Sequence, residues 1–237
     1  MTQHLLQGRT EKEILWFQRR DTLKAAAAWV ALGGLPAAMA QQRSNVVQLV
    51  GDALLNGRRL LPQQTIQTGD QIQTGPGASL IFLIGNSAFQ VRQNTMMTVE
   101  RGATLSTVSL LRLLSGAVVS VWGKGTSRAI VMPTMTAGIR GTGVYSEVFP
   151  DQRNYFCNCY GTVDLDASGE KALSKAEYHQ AFWGEPGPRE GRLLTPARAI
   201  NHSDEELEFL GRLVGQRTAW QIAGRKGSKD GSGTMGY

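Results

Sequence analysis

The two cysteines are the residues of this chain with the clearest capacity for chemistry. Cys157 and Cys159 are the only cysteines among the 237 residues, and they lie in a run of alternating residues that is typical of an extended strand. In a strand, residues i and i+2 point to the same face. We therefore expect both thiols on one side, with their Cα atoms about 6.5 Å apart, at the long limit of disulfide geometry.

The sequence leaves three interpretations of this pair open. Cysteines are often buried and unreactive. A disulfide between Cys157 and Cys159 would need a bent backbone and would be strained and easily reduced, although an oxidising export compartment favours it. The two thiolates could also bind a metal, because His179 and His202 would complete the four ligands of a zinc-type site. No spacing in the sequence requires the histidines to lie near the cysteines.

Other kinds of site find little support. The glycines at 138, 141 and 143 have the spacing G-x-x-G-x-G, and a strand-like run follows where a phosphate-binding loop needs a helix N-terminus. The chain has no G-x-S-x-G motif, and no pair of carboxylates lies in a suggestive context. We therefore expect a protein that is not an enzyme and that needs no cofactor.

The cysteines belong to a predicted β-hairpin. Residues 144–149 alternate, Pro150 and Asp151 interrupt the run, and residues 155–160 alternate again. Across the rest of the chain, short apolar runs end at turn signals such as Asn56-Gly57 and Gly85-Asn86. The 28 glycines exceed the usual share of about 7%. This pattern predicts an all-β fold: a twisted double-layer, solenoid-like or sandwich domain.

Four further segments receive specific predictions. Ser115-Gly116 is interpreted as a turn between two strands, and residues 173–183 fit either a strand pair or a helix. An amphipathic helix is predicted over 203–214, because Ser203 and Glu206 form a capping box before an apolar stripe. Residues 224–237 are rich in glycine and poor in apolar residues, so we expect them to be disordered.

The N-terminus has the features of an export signal. Arg19 and Arg20 precede an uncharged run over 25–42, and Ala38-Met39-Ala40 is a small-x-small cleavage pattern. We predict a twin-arginine signal peptide over 1–40, cleaved after Ala40, and therefore a periplasmic protein that is exported folded. The alternative is an inner-membrane anchor formed by residues 25–42, although this run is rich in Ala and Gly and contains Pro36.

The turn and strand motifs resemble those of the FecR family of periplasmic domains. The residues that carry the resemblance are Asn56-Gly57, Thr65-Ile66-Gln67-Thr68-Gly69-Asp70, Ile72, Thr74-Gly75, Ser79, 114–118, Pro133-Thr134 and the family motif Gly141-Thr142-Gly143 with Val144. The resemblance covers residues 45–165. It implies a twisted double-layer β domain that recognises or transmits a signal, with a protein partner in the cell envelope.

The resemblance also gives a domain plan. It implies a FecR-like β domain over 41–183 and a C-terminal extension over 184–223, followed by the tail at 224–237. Well-known relatives carry a cytoplasmic sigma-binding segment, but only eighteen residues precede Arg19, so we expect no anti-sigma activity. The formal charge is +6, and no run of five like charges marks a nucleic-acid-binding arm. We therefore expect no nucleic-acid partner and, after cleavage, no stable membrane span.

Overall fold

The structure is a computed structural model that describes residues 44–235, except residues 103, 105, 106, 126 and 127. The described residues belong to one unit, Gln42–Tyr237. The predicted signal peptide with Arg19, Arg20 and Ala40, and the alternative anchor, lie outside them. Within the described part of the chain, no helix has both the length and the apolar character needed to cross a membrane.

Sixteen strands of the described chain form two layers, which we call the central sheet and the outer sheet. The central sheet contains, in spatial order, β1 (Val46–Val50), β5 (Ser79–Ile84), β6 (Ser87–Val91), β8 (Val108–Trp122), β11 (Gly143–Val148), β12 (Asn154–Ala167), β14 (Tyr178–Arg189) and β15 (Arg192–Ala197), with β16 (Ser232–Gly233) also paired to β14. The outer sheet contains β3 (Arg58–Arg59), β2 (Ala53–Leu55), β4 (Gln71–Thr74), β7 (Met96–Arg101), β8, β9 (Arg128–Val131), β10 (Thr136–Ile139), β12 and β13 (Glu170–Ala176). The predicted all-β class and the hairpin of β11 and β12 are confirmed.

Two long strands, β8 and β12, belong to both sheets and join the layers. The first half of β8 pairs with β7 in the outer sheet, and its second half pairs with β6 and β11 in the central sheet. The change occurs at Gly116, whose φ is +74°. In β12 the same change occurs at Gly161, with a φ of +103°. The turn predicted at Ser115-Gly116 is therefore wrong, because a glycine in the left-handed region bends the strand without ending it.

The central sheet is covered on both faces. One face packs against the outer sheet through a core that includes Phe82, Trp122 and Phe156 from the central sheet and Leu111 and Val163 from the outer sheet. The opposite face forms a second core with the helices. Its buried members are Ile81, Ala88, Ala117, Val119, Val121, Tyr145, Tyr155, Cys157, Cys159, Tyr160, Tyr178, Ala181, Leu207, Leu210 and Trp220. The cysteines therefore point toward the helical side of the sheet.

The predicted helix is present as α1 (Asp204–Leu213). Ser203 is its N-cap, and the capping box with Glu206 forms as expected. A second helix, α2 (Ala219–Ala223), starts at Thr218 with its own capping box to Gln221. This helix was not predicted, because five residues are too few to show helical periodicity in the sequence.

The C-terminal part settles one open point of the predicted plan and departs from the plan at two others. Residues 173–183 form the end of β13 and the start of β14, which settles the earlier ambiguity in favour of strands. The boundary predicted between 183 and 184 lies inside β14. The disorder predicted for 224–237 is wrong for the described residues up to 235, because β16 pairs with β14 and Met235 packs into the second core.

The bend in β8 gives a first prediction. A Cβ at residue 116 would lie 2.3 Å from Oγ1 of Thr95, whereas one at Gly57, whose φ is +76°, would meet nothing within 4 Å. Gly116→Ala should therefore lower the free energy of unfolding by about 2–4 kcal/mol, from left-handed strain plus overpacking. Gly57→Ala has the strain alone and should lose about 1–2 kcal/mol. Urea denaturation compares the two variants, and equal losses would show that Gly116 is not a packed bend.

Candidate metal centre

Strand β12 places Cys157 and Cys159 side by side on the helical face of the central sheet. Both side chains are 0% exposed. Both are free thiols, and their Sγ atoms lie 3.8 Å apart. The disulfide considered from sequence is therefore not present, because the strand stays extended through Asn158 and keeps the sulfurs apart.

His179 enters the same space from the neighbouring strand β14. It lies in the left-handed region, with a φ of +39°, beside a register shift between Tyr178 and Gln180. Non-glycine residues held in this region often mark functional sites. Its Nδ1 atom lies 3.6 Å from Sγ of Cys157, and its side chain is 0% exposed.

His202 comes from the loop that precedes α1. Its Nε2 atom lies 3.4 Å from Sγ of Cys159, and its Nδ1 atom donates to the carbonyl of Ile200 at 2.6 Å. The ring stacks on Tyr145, with centroids 4.8 Å apart and planes at 19°. His202 thus carries the fourth ligand atom from the helical side of the site, while the other three come from the central sheet.

The two histidines face each other through one nitrogen of each ring. Nδ1 of His179 and Nε2 of His202 lie 3.0 Å apart. On the other side of each ring, Nε2 of His179 donates to Oδ1 of Asp204 at 3.0 Å, and Nδ1 of His202 donates to the carbonyl of Ile200. A neutral imidazole has a single N–H, so when both rings are neutral both facing nitrogens present lone pairs. Two lone pairs at this distance repel each other, and either a proton on one ring or a metal ion between the rings removes that repulsion.

The distances within the cluster fit tetrahedral zinc. All four ligand atoms lie within 4.8 Å of one another. With Zn–S bonds of ~2.3 Å and Zn–N bonds of ~2.0–2.1 Å, a tetrahedron has edges of ~3.8 Å between sulfurs, ~3.6 Å between sulfur and nitrogen and ~3.3 Å between nitrogens. Four of the six separations, at 3.8, 3.6, 3.4 and 3.0 Å, follow this order, and the other two are at most 4.8 Å. The cluster can therefore close around one ion with small movements.

The electrostatics of the thiols also favour a cation. Burial alone would raise the pKa of Cys157, but the hydrogen bond from Cys159 and the imidazoles of His202 and His179 hold that pKa well below its usual value. Burial raises the pKa of Cys159, and the neighbouring Cys157 raises it further. The protein by itself thus favours one thiolate, and a bound metal would deprotonate the second thiol.

Asp204 fixes the outer side of His179. Burial opposes the negative charge of Asp204. Hydrogen bonds from His179, Lys226, Lys229 and Tyr178 nevertheless keep the pKa of Asp204 well below its ordinary value. Burial also opposes protonation of His179, but the Asp204 carboxylate raises the pKa of His179 above its usual value. Asp204 was noted in the sequence only as an acidic residue of the first helical turn. The one feature of the sequence that could have indicated its place beside the cluster is its position two residues after His202.

The chain Cys157–His179–Asp204 has the order of a thiol nucleophile, its base and an orienting carboxylate. A nucleophile of that kind needs space beside its sulfur for a substrate. Cys157 and His179 are fully buried, and a second histidine and a second thiol fill the cluster. This environment suits a bound ion better than an acyl acceptor.

The structure brings together all four residues considered as metal ligands from the sequence: Cys157, Cys159, His179 and His202. The Gly141-Thr142-Gly143 motif lies nearby and has an architectural role. Thr142 is buried, and its hydroxyl contacts Oδ1 of Asn158 at 3.0 Å and donates to the carbonyl of Tyr160. A Cβ at Gly143 would lie 2.4 Å from the ring of Tyr160. The motif therefore holds the part of β12 that carries Cys159.

Comparisons with known proteins give limited matches. No protein-family model matches this chain, and no curated protein matches it. Two crystal structures of a candidate anti-sigma factor from Parabacteroides distasonis, at 1.65 and 2.50 Å resolution, are similar to it with a TM-score of 0.45 each. The sequence identities are 10% and 11%, and each match covers 54% of this chain and 58% of the other.

The burial of the thiols gives a second prediction. In folded protein prepared without oxidants, neither cysteine should react with a thiol reagent such as DTNB, because Cys157 and Cys159 are inaccessible. In denaturant with a chelator, both should react at once. Fewer than two reactive thiols after denaturation would indicate a disulfide, and rapid reaction in the folded state would contradict the buried placement.

Proposed function

We propose that this chain is a non-enzymatic recognition and signalling module of the cell envelope that binds one zinc ion through Cys157, Cys159, His179 and His202. The observation that carries the metal part is the buried cluster of four ligand atoms within 4.8 Å of one another. Four protein ligands leave no open position for a substrate, which is the arrangement of a structural zinc site.

The ligand set supports zinc over other divalent ions. Two thiolates and two imidazoles in a tetrahedral arrangement suit zinc, whereas calcium and magnesium prefer oxygen ligands. Two thiolates also neutralise the double positive charge of the ion, so the closed site contains no net charge. Neutrality matters because Cys157, Cys159 and His179 have no exposed surface, and an uncompensated buried charge is strongly unfavourable.

The recognition part rests on the resemblance to FecR domains. The residues that carry the resemblance also have a structural role here, because Thr142 contacts Asn158 and Tyr160 of β12. FecR-like domains receive a signal from a protein partner in the cell envelope. We extend this role to the present chain.

Export through the twin-arginine route is consistent with a bound metal. That route carries proteins that are already folded, so zinc would enter where thiols are reduced, before the chain reaches an oxidising compartment. A bound ion would then protect Cys157 and Cys159 from oxidation. A redox role receives less support, because both thiols are fully buried.

The metal site gives a third prediction. Full-length protein purified without chelators should contain about one zinc ion per chain by elemental analysis, and Cys157→Ser with Cys159→Ser should contain none. Free zinc at about 100 times its Kd should stabilise the wild-type chain by up to about 2.7 kcal/mol, the value for an ion that binds the folded state alone.

Ser146→Ala is the matched control for this experiment. Ser146 is buried on β11, and its hydroxyl has no hydrogen-bond partner. Loss of this hydroxyl removes a polar atom from the same sheet outside the cluster, so the variant should keep its zinc. A wild-type chain that neither carries zinc nor binds added zinc would contradict the proposal.

The location and the partner give a fourth prediction. In a Gram-negative host, the mature chain should be recovered from the periplasm, and the double variant Arg19→Lys, Arg20→Lys should leave the precursor in the cytoplasm.

Cross-linking in intact cells should then join the exported chain to one specific envelope protein. Recovery of the mature wild-type chain from the cytosol, or cross-linking to no specific partner, would count against this part of the proposal.

A further inference from the structure

Asp204 has far more contacts than its position at the start of a helix requires. It is the first residue of α1 and is 4% exposed. Ser203 and Glu206 already cap the helix, so the cap does not explain why this carboxylate is buried. Burying a carboxylate is unfavourable unless its oxygens are well paired.

Four donors surround the Asp204 carboxylate. Nε2 of His179 and Nζ of Lys229 lie 3.0 and 2.9 Å from Oδ1. The Tyr178 hydroxyl and Nζ of Lys226 lie 2.9 and 2.8 Å from Oδ2. The donors come from β14 and from the segment 224–235, which was expected to be disordered. Asp204 therefore joins the cluster, the helix and the C-terminal segment.

The contact with His179 sets the chemistry of that ring. Because Nε2–H is held by Asp204, the lone pair of Nδ1 is directed into the cluster. A carboxylate behind a ligating histidine fixes the tautomer and orientation of the ring and raises its basicity. The same carboxylate holds Lys226 and Lys229, so the orientation of His179 and the position of the C-terminal segment depend on one group.

The C-terminal segment also pairs with the backbone on both sides of His179. Glu177 and Ala181 donate their amides to the carbonyls of Gly233 and Gly231, at 2.8 and 3.3 Å. Farther along, Ala199 donates to the carbonyl of Lys229 at 3.2 Å. Exchange of these three amides therefore reports directly on whether the segment is docked.

We infer that Asp204 is the positioning residue of the metal centre and that it couples zinc binding to the docking of residues 224–235. This inference rests on the proposed zinc site. Zinc fixes the ring of His179, the ring holds Asp204, and Asp204 holds the two lysines. Coupling between two equilibria is reciprocal, so the factor by which zinc strengthens docking equals the factor by which docking strengthens zinc binding.

The test compares Asp204→Asn with Glu205→Gln in the full-length protein. Each variant removes one negative charge from the same turn. Glu205 lies 3.5 Å from Nζ of Lys226 and has a 61% exposed side chain, whereas Asp204 contacts His179 as well. Asp204→Asn should weaken zinc binding, measured against a competing chelator, by about 10–100-fold. It should also change the ligand-field spectrum of the cobalt-substituted protein and speed amide exchange at Glu177, Ala181 and Ala199. Glu205→Gln should change none of these.

The outcomes separate the two proposals. A wild-type chain that binds no zinc overturns the proposed function and this inference together. A wild-type chain that binds zinc, beside an Asp204→Asn variant with unchanged affinity and spectrum, overturns the inference alone.

If Asp204→Asn does not fold, the double variant Lys226→Met, Lys229→Met tests the coupling instead. This variant leaves the contact between Asp204 and His179 in place. It should speed exchange of the same three amides. It should also weaken zinc binding. The fold loss in affinity should equal the fold increase in the exchange rate of these amides when zinc is removed from the wild-type protein. Release of the segment with unchanged zinc affinity would contradict the coupling.

Discussion

The arrangement of the site depends on two imidazole nitrogens that face each other at 3.0 Å while the other nitrogen of each ring donates a hydrogen bond. In the neutral rings this is a contact between two lone pairs, within a cluster in which Cys157, Cys159 and His179 are buried. A cation between them turns a repulsive contact into two favourable ones. The two sulfurs beside them supply the negative charge that such an ion needs. The surrounding groups hold these rings in place: Asp204 and the carbonyl of Ile200 accept hydrogen bonds from them, and Tyr145 stacks on His202.

The fold supplies the rigid side of the site through the path of β12. This strand lies in the central sheet up to Tyr160 and then leaves it at Gly161. Thr142 contacts the side chain of Asn158 and the carbonyl of Tyr160, the two neighbours of Cys159. The motif that resembles FecR domains thus fixes the strand segment that carries the second thiol. The residues 141–143 and the thiol of Cys159 are therefore positioned through the same segment of β12.

Local patterns in the sequence predicted the local structure. The alternation around Cys157 gave the strand and the shared face of the two thiols, and the Ser203 capping box gave the helix. The proximity of the histidines could not be predicted, because His202 is 43 residues from Cys159 and reaches it only through tertiary packing. The order of the C-terminal segment was missed for the same reason. Its glycines suggest disorder, but pairing with β14 and the buried Asp204 hold it in place.

X-ray absorption spectroscopy at the zinc edge of the purified full-length protein tests the central claim most directly. The account predicts a four-coordinate ion with two sulfur ligands at ~2.3 Å and two imidazole nitrogens at ~2.0–2.1 Å. A first shell that contains only oxygen and nitrogen atoms would place the ion away from Cys157 and Cys159 and would contradict the account.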